Sequence, residues 1–193
     1  MGIEYELKFR AEPQAQAKIR ETVAGPWRRI DMETAYYDTP EGALAQRHCT
    51  LRRRMENGKS VCTLKTPAPD GARGEWETED TSLHRAVPVL CGMGCPELLE
   101  LLEKNSVVKV CGARFVRYAA SVDIGTAVVE LALDLGVLTG ADRELPLCEV
   151  EVELKSGSRE TAAAFAALLA RKYDLLPETK SKFRRALDLA KEG

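Results

Sequence analysis

Charges stand at alternate positions near the start of the chain, as Glu4, Glu6 and Lys8 in Ile3-Glu4-Tyr5-Glu6-Leu7-Lys8-Phe9. The layout returns in Cys148-Glu149-Val150-Glu151-Val152-Glu153-Leu154-Lys155. An extended chain turns successive side chains to opposite faces, so each segment collects its charges on one face and its apolar residues on the other. A solvated strand face also alternates, but it usually mixes signs and includes Ser, Thr and Gln. Three carboxylates in a row repel one another, and like charges across a sheet destabilise it. A hard divalent cation with oxygen ligands would gather such rows, provided that they face each other.

The basic residues follow the same rule. In Leu51-Arg52-Arg53-Arg54-Met55, Arg52 and Arg54 share a face and Arg53 points away. Lys65 lies on the segment that returns after Glu56-Asn57-Gly58. The inward cations expected from alternation are Lys8, Arg52, Arg54, Lys65, Arg117 and Lys182. The inward acids are Glu4, Glu6, Glu75, Glu77, Glu149, Glu151 and Glu153, with Asp134 as an addition. Each would cost several kcal/mol to bury unpaired. The set therefore predicts a wet channel that holds a polyanion and its metal ions. Arg forks and Lys ammoniums neutralise phosphate oxygens. Carboxylates hold Mg²⁺ or Mn²⁺, and the metal bridges to the phosphates.

Composition narrows the field. The chain has 193 residues, 45% hydrophobic and 30% charged, as expected for a single soluble domain over 1–193. It has no apolar run of membrane-spanning length and no visible signal peptide, so the expectation is a cytoplasmic protein with no membrane partner. A net charge of -2 gives no overall attraction for nucleic acid. The six Cys form no CxxC pair, which argues against structural zinc. With only His48 and His84 available, acid–base work falls to Glu, Asp, Lys, Tyr or bound water. Monomer and homodimer both stay open.

Periodicity and turn residues give the elements that must position these groups. Strands are expected at 3–10, 27–38, 50–55, 59–66, 75–80, 107–111, 114–123, 127–133 and 148–155. Gly112 and Gly125 read as turns, and Asp134-Leu135-Gly136 as a strand end. Helices are expected from Pro13 to about Val23, over 96–103, from Gly157 to about Tyr173, and over 182–190. Ala162, Phe165, Ala166, Leu168 and Leu169 give the third of these an apolar stripe for packing on the sheet. The expected class is α+β, mainly antiparallel. Closure into a barrel would remove the sheet edges.

These residues match a known pattern. The chain resembles the CYTH domain, or triphosphate tunnel metalloenzymes, and most of all bacterial inorganic triphosphatases. ExExK stands here as Glu4-Tyr5-Glu6-Leu7-Lys8. Tyr36-Tyr37-Asp38-Thr39-Pro40, Leu51-Arg52-Arg53-Arg54, Thr63-Leu64-Lys65, Leu133-Asp134-Leu135-Gly136, Glu149-Val150-Glu151-Val152-Glu153 and Ser181-Lys182 follow in the family's order. The resemblance implies an eight-stranded closed barrel with flanking helices outside. It implies Glu4, Glu6, Glu149, Glu151, Glu153 and Asp134 as metal ligands for Mg²⁺ or Mn²⁺. Lys8, Arg52, Arg54, Lys65, Arg117 and Lys182 would hold a small-molecule triphosphate, with Glu75 and Glu77 lining the tunnel. Lys8 and the Glu149, Glu151 and Glu153 row would take part in catalysis, a carboxylate orienting or deprotonating water. Family members often carry a second basic residue two positions from the one matched by Arg117, where this chain has Phe115 and Ala119. Arg114 falls on the opposite face by alternation. The implied reaction is hydrolysis of inorganic triphosphate to pyrophosphate and phosphate. The alternatives are a class IV adenylyl cyclase, a thiamine or nucleoside triphosphatase, and a polyphosphate-binding module without turnover.

Overall fold

The computed structural model describes residues 5–67 and 73–191. Strand β1 (Glu6–Arg10) leads into helix α1 (Pro13–Thr22), whose Pro13 sits in the first turn, where its missing N–H costs nothing. β2 (Arg28–Asp38) is followed by the short α2 (Ala43–Gln46). β3 (Thr50–Glu56) and β4 (Lys59–Pro67) form a hairpin whose Asn57 and Gly58 both take positive φ, 48° and 84°, as a two-residue turn requires. β5 (Arg73–Glu79) comes next, then α3 (Leu83–Gly94) and α4 (Glu97–Lys104). Three long strands follow: β6 (Val108–Asp123), β7 (Ala127–Gly140) and β8 (Arg143–Gly157). α5 (Arg159–Lys172), the two-residue β9 (Leu176–Pro177) and α6 (Lys182–Lys191) complete the chain.

All pairings among these strands are antiparallel, in the order β5-β4-β3-β2-β6-β7-β8-β1-β9. This corrects the closed eight-stranded barrel. Among the described residues no ladder joins β5 to β1 or β9, so the sheet keeps two edges. The β9 edge is two residues long and contains Pro177, which has no N–H to offer another strand. The sheet still curls far enough for β1 and β5 to border one cavity.

Two glycines correct the strand boundaries. Gly112 lies inside β6, where a Cβ would stand 2.7 Å from the Thr34 carbonyl oxygen of β2. Gly136 lies inside β7, where a Cβ would stand 2.5 Å from Phe115 Cα. Both are points of close strand approach rather than turns, so β6 and β7 run on past them. Gly125, at φ 93°, does make the turn between them. Helix α3 was not expected, because Pro88, Gly92 and Gly94 weaken its local signal. Its Ala86, Val87, Leu90 and Cys91 bury against Leu51, Cys62 and Leu64, on the outer face of β3 and β4.

The outer face of β7 and β8 is covered in the same way. Val129, Leu131, Leu133, Val150 and Val152 pack with Ala162, Ala166 and Leu169 of α5 and Ile19 of α1. Helix α6 departs from the expectation that the helices lie outside. Its Phe183, Ala186 and Leu187 pack on Met32, Tyr36, Cys111, Ala113, Phe115, Leu138 and Leu147. Met32, Tyr36 and Phe115 share the channel face with Arg117, so α6 fills part of the concave side. Its strong amphipathic pattern fits that place: one stripe is apolar, and Lys182 and Arg185 stand beside it.

Candidate functional site

The curled sheet and α6 enclose a cavity of about 900 Å³. Its lining includes Glu6 and Lys8 of β1, Arg52 and Arg54 of β3, Lys65 of β4, Glu75 and Glu77 of β5, Arg117 of β6, Glu151 and Glu153 of β8, and Lys182. The strand residues named here share the cavity face that alternation gave them, and strands distant in sequence meet around it. Glu4 lies outside the described residues. Asp134 and Glu149 do not line the cavity but sit fully buried beside it.

The acidic rows do not oppose each other. β8 pairs with β1 on one side and β7 on the other, so the rows are neighbours in one patch. Glu6, Glu153 and Glu130 stand at one register level; Lys8 and Glu151 at the next; Glu149 and Asp134 at the third. Oxygens of Asp134, Glu149 and Glu151 lie within 4.8 Å of one another. Such a set of carboxylates suits a hard divalent ion. Glu149 Oε2 is buried, and the cation beside it is the Lys182 ammonium at 2.5 Å.

Protein cations hold this patch. Arg117 donates to both oxygens of Asp134 at 2.7 Å and also to Glu151. Lys182 Nζ lies 2.9 Å from Asp134 and 2.5 Å from Glu149, and it also contacts Glu151. Arg185 donates to Glu149 and lies 3.7 Å from Glu178. Burial opposes ionisation of Glu151, but Lys182 and Arg117 outweigh it and hold the carboxyl well below its usual range. Burial also opposes the Lys182 charge, yet Glu151, Asp134 and Glu149 raise it well above normal. From outside the sheet, the Gln16 amide of α1 donates to the carbonyls of Asp134 (2.9 Å) and Glu149 (2.8 Å), tying β7 to β8 behind the patch.

The opposite wall is basic. Arg52 lies 3.2 Å from Glu75 and 3.6 Å from Glu77, and Lys65 lies 3.0 Å from Glu75. Glu77 also accepts a bond from Thr63 at 3.0 Å. Glu75 and Glu77 thus act as counter-ions that orient the cations. The Nε–H groups of Arg52 and Arg54 are buried without an acceptor. Burial and repulsion from Arg52 and Arg117, partly offset by Glu56, hold Arg54 below its usual range. Burial pushes the Tyr36 phenol up, while Arg52, Lys182 and Arg54 pull it back.

Several residues at the site were not expected. Arg28, Glu130, Lys155, Lys180, Ser181 and Arg184 line the cavity, as does His48. Glu153 pairs with Lys155 at 2.7 Å, and Glu130 with Arg28 at 3.1 Å. Glu130 carried a signal, since it stands four residues before Asp134 on the same strand face. Arg185 stands three residues after Lys182, on a neighbouring helix position. Nothing in the sequence marked Gln16. Arg114 is exposed and pairs with Glu144, so it does not replace the missing second base on the Arg117 strand.

The CYTH domain model matches residues 2–187, nearly the whole chain. The chain belongs to the CYTH family. It is 26% identical over 188 residues to an inorganic triphosphatase of Haemophilus influenzae, covering 94% of this chain and 53% of that protein. It is 32% identical over 152 residues to a human thiamine-triphosphatase, covering 78% of this chain and 62% of that protein. The chain thus spans little more than half of either relative. Among solved structures, the PH1819 protein of Pyrococcus horikoshii superposes with a TM-score of 0.66 at 23% identity. That match covers 96% of this chain and 99% of the other, which establishes the shared fold of this CYTH protein. Among the described residues no helix is long and apolar enough to cross a membrane.

Proposed function

We propose that this CYTH protein hydrolyses inorganic triphosphate to pyrophosphate and phosphate with Mg²⁺ or Mn²⁺. The observation that carries the reading is the pair of acceptor-free Nε–H donors on Arg52 and Arg54, facing a carboxylate wall across one cavity. Buried guanidinium donors without acceptors are costly, and phosphate oxygens are suited to take them. Arg52, Arg54, Lys65, Lys8, Lys182 and Arg117 bind the triphosphate and stabilise charge on the transferring phosphoryl group. Glu6 and Glu151, with Glu4 and Glu153, would hold the divalent ion, which would supply neutralisation of phosphate charge. Glu153, the most open of its row, orients the attacking water. Asp134 and Glu149 keep Arg117 and Arg185 in position from behind. In this reading residues 1–193 work as one tunnel domain.

The names of the relatives favour a triphosphatase over a silent binding module. The wall chemistry favours an inorganic substrate over one with an organic ring. Tyr36 and Phe115 are buried to 6% and 9% exposure, and Phe183 packs on Tyr36 with ring centroids 5.0 Å apart. Among the described residues, Tyr36 and Phe115 therefore offer little open ring surface to adenine or a thiamine ring.

The test is a substrate panel of triphosphate, ATP and thiamine triphosphate with each metal, across about pH 7–10, with chromatography of products. Orthophosphate and pyrophosphate from triphosphate are expected, at a higher kcat/KM than for the other two. No turnover of triphosphate with either metal removes the reading. Cyclic AMP from ATP would replace it with the cyclase.

A further inference from the structure

Lys182 opens α6 and sends its ammonium among three carboxylates, those of Asp134, Glu149 and Glu151. Their oxygens are as close together as the ligands of a divalent ion. Arg117 closes the patch from β6 and Arg185 closes it from α6. The three carboxylates thus already meet three protein cations, and a divalent ion arriving here finds an ammonium in its place. Adding a divalent charge to a buried cluster already held by cations is unfavourable unless one of them leaves.

The other wall has the complementary need. Arg52 and Arg54 keep buried donors that nothing accepts. Lys182, Arg52 and Arg54 line the same cavity, together with Tyr36. A lysine carries its charge on a flexible four-carbon stem, and it can exchange partners while its backbone stays in the helix. Arg117, with two parallel bonds to Asp134, is held far more rigidly.

We propose that Lys182 is an exchangeable counter-ion that couples binding of the divalent metal to binding of the polyphosphate. Without ligands its ammonium neutralises Glu151 and its neighbours. A polyphosphate on Arg52 and Arg54 draws the ammonium onto phosphate oxygens, and Glu151 becomes available to the metal. Asp134 and Glu149 keep Arg117 and Arg185. Each ligand then raises the affinity for the other by one common factor. This rests on the triphosphate reading of the channel, but it does not require turnover.

The test is Mn²⁺ binding to the intact protein, followed by electron paramagnetic resonance. Titrations are run with and without diimidotriphosphate, a non-hydrolysable analogue, equimolar with protein and set against a protein-free control. Mn²⁺ affinity should rise at least about tenfold with the analogue. In Lys182→Met, bare Mn²⁺ should bind at least about tenfold more tightly than in wild type, and the analogue effect should fall below about threefold. A wild-type analogue effect near unity overturns the proposal. So does unchanged bare-metal affinity in a Lys182→Met protein with a wild-type circular dichroism spectrum. If Lys182→Met does not fold, Glu151→Gln decides: the analogue effect should fall below about threefold, and an undiminished effect overturns the proposal. Phosphate release without this coupling removes the proposal alone. Coupling without phosphate release removes the triphosphatase reading alone.

Discussion

On the β7–β8–β1 side of the channel, the three most deeply buried carboxylates each touch a protein cation, and Asp134 and Glu149 show no exposed surface. On the β3–β4 side, Arg52 and Arg54 keep buried Nε–H donors without an acceptor. In the first wall the ion pairs are buried, while in the second Arg52, Arg54 and Lys65 pair with the partly exposed Glu75, Glu77 and Glu56 and two Nε–H donors lack an acceptor. Removing a charge should therefore damage the two sides differently. In the acidic wall it leaves a buried partner unpaired, which mainly harms the fold. In the basic wall, on the proposed triphosphate reading, it would remove a contact to ligand and mainly harm binding.

The largest expected effect is on folding. Arg117→Met leaves Asp134 without its two-point partner and should destabilise by about 3–5 kcal/mol, read from urea unfolding. A loss below about 1 kcal/mol would mean that the acidic wall is no more tightly locked than a surface pair. Next comes Glu6→Gln, at the open end of the same wall. Turnover of triphosphate should fall at least about hundredfold, as expected when a metal ligand is lost. Metal-free triphosphate binding, followed by calorimetry, should survive. Glu4→Gln should behave alike, and retained activity in both would put the metal site elsewhere.

Arg54→Met probes the basic wall. Its partner Glu56 is 31% exposed, so stability should change by no more than about 1 kcal/mol. Triphosphate affinity should fall about ten- to hundredfold, from roughly 1.5–3 kcal/mol for a charged hydrogen bond. If Arg54→Met cost as much stability as Arg117→Met, the contrast between the walls would be lost. The smallest effect lies outside both walls and serves as a baseline. Burial pushes the Cys91 and Cys148 thiols up to about 11 and Cys111 up to about 12. Between about pH 8.5 and 11 the unfolded chain loses thiol protons that the fold retains, so stability should decline as pH rises. A urea midpoint that climbs over that range would contradict the burial of these thiols.

Alternation did much of the work for the site. Arg52, Arg54, Lys65, Glu75 and Glu77 were readable because a strand has a two-residue period and their strands are short and clearly bounded. The helical pattern of 182–190 was readable too, but its position inside the curl was not, since an apolar stripe says only that something covers it. Gly112 and Gly136 misled because a glycine that permits close strand packing looks, in sequence, like one that permits a turn. Gln16 carried no signal at all, being one polar residue on an amphipathic helix until β7 and β8 come to lie beneath it.

The amino-acid order alone determined which residues share a face, and hence that carboxylates and cations would crowd one side of an antiparallel sheet. That follows from backbone geometry, which is local. The tertiary structure decided which charge meets which. It set Lys182 and Arg117 against Asp134 and Glu151, Arg185 against Glu149, and left donors of Arg52 and Arg54 open. Those pairings depend on sheet register, on the seating of α6 and on burial, which bring together groups separated by 17 to 48 positions along the chain.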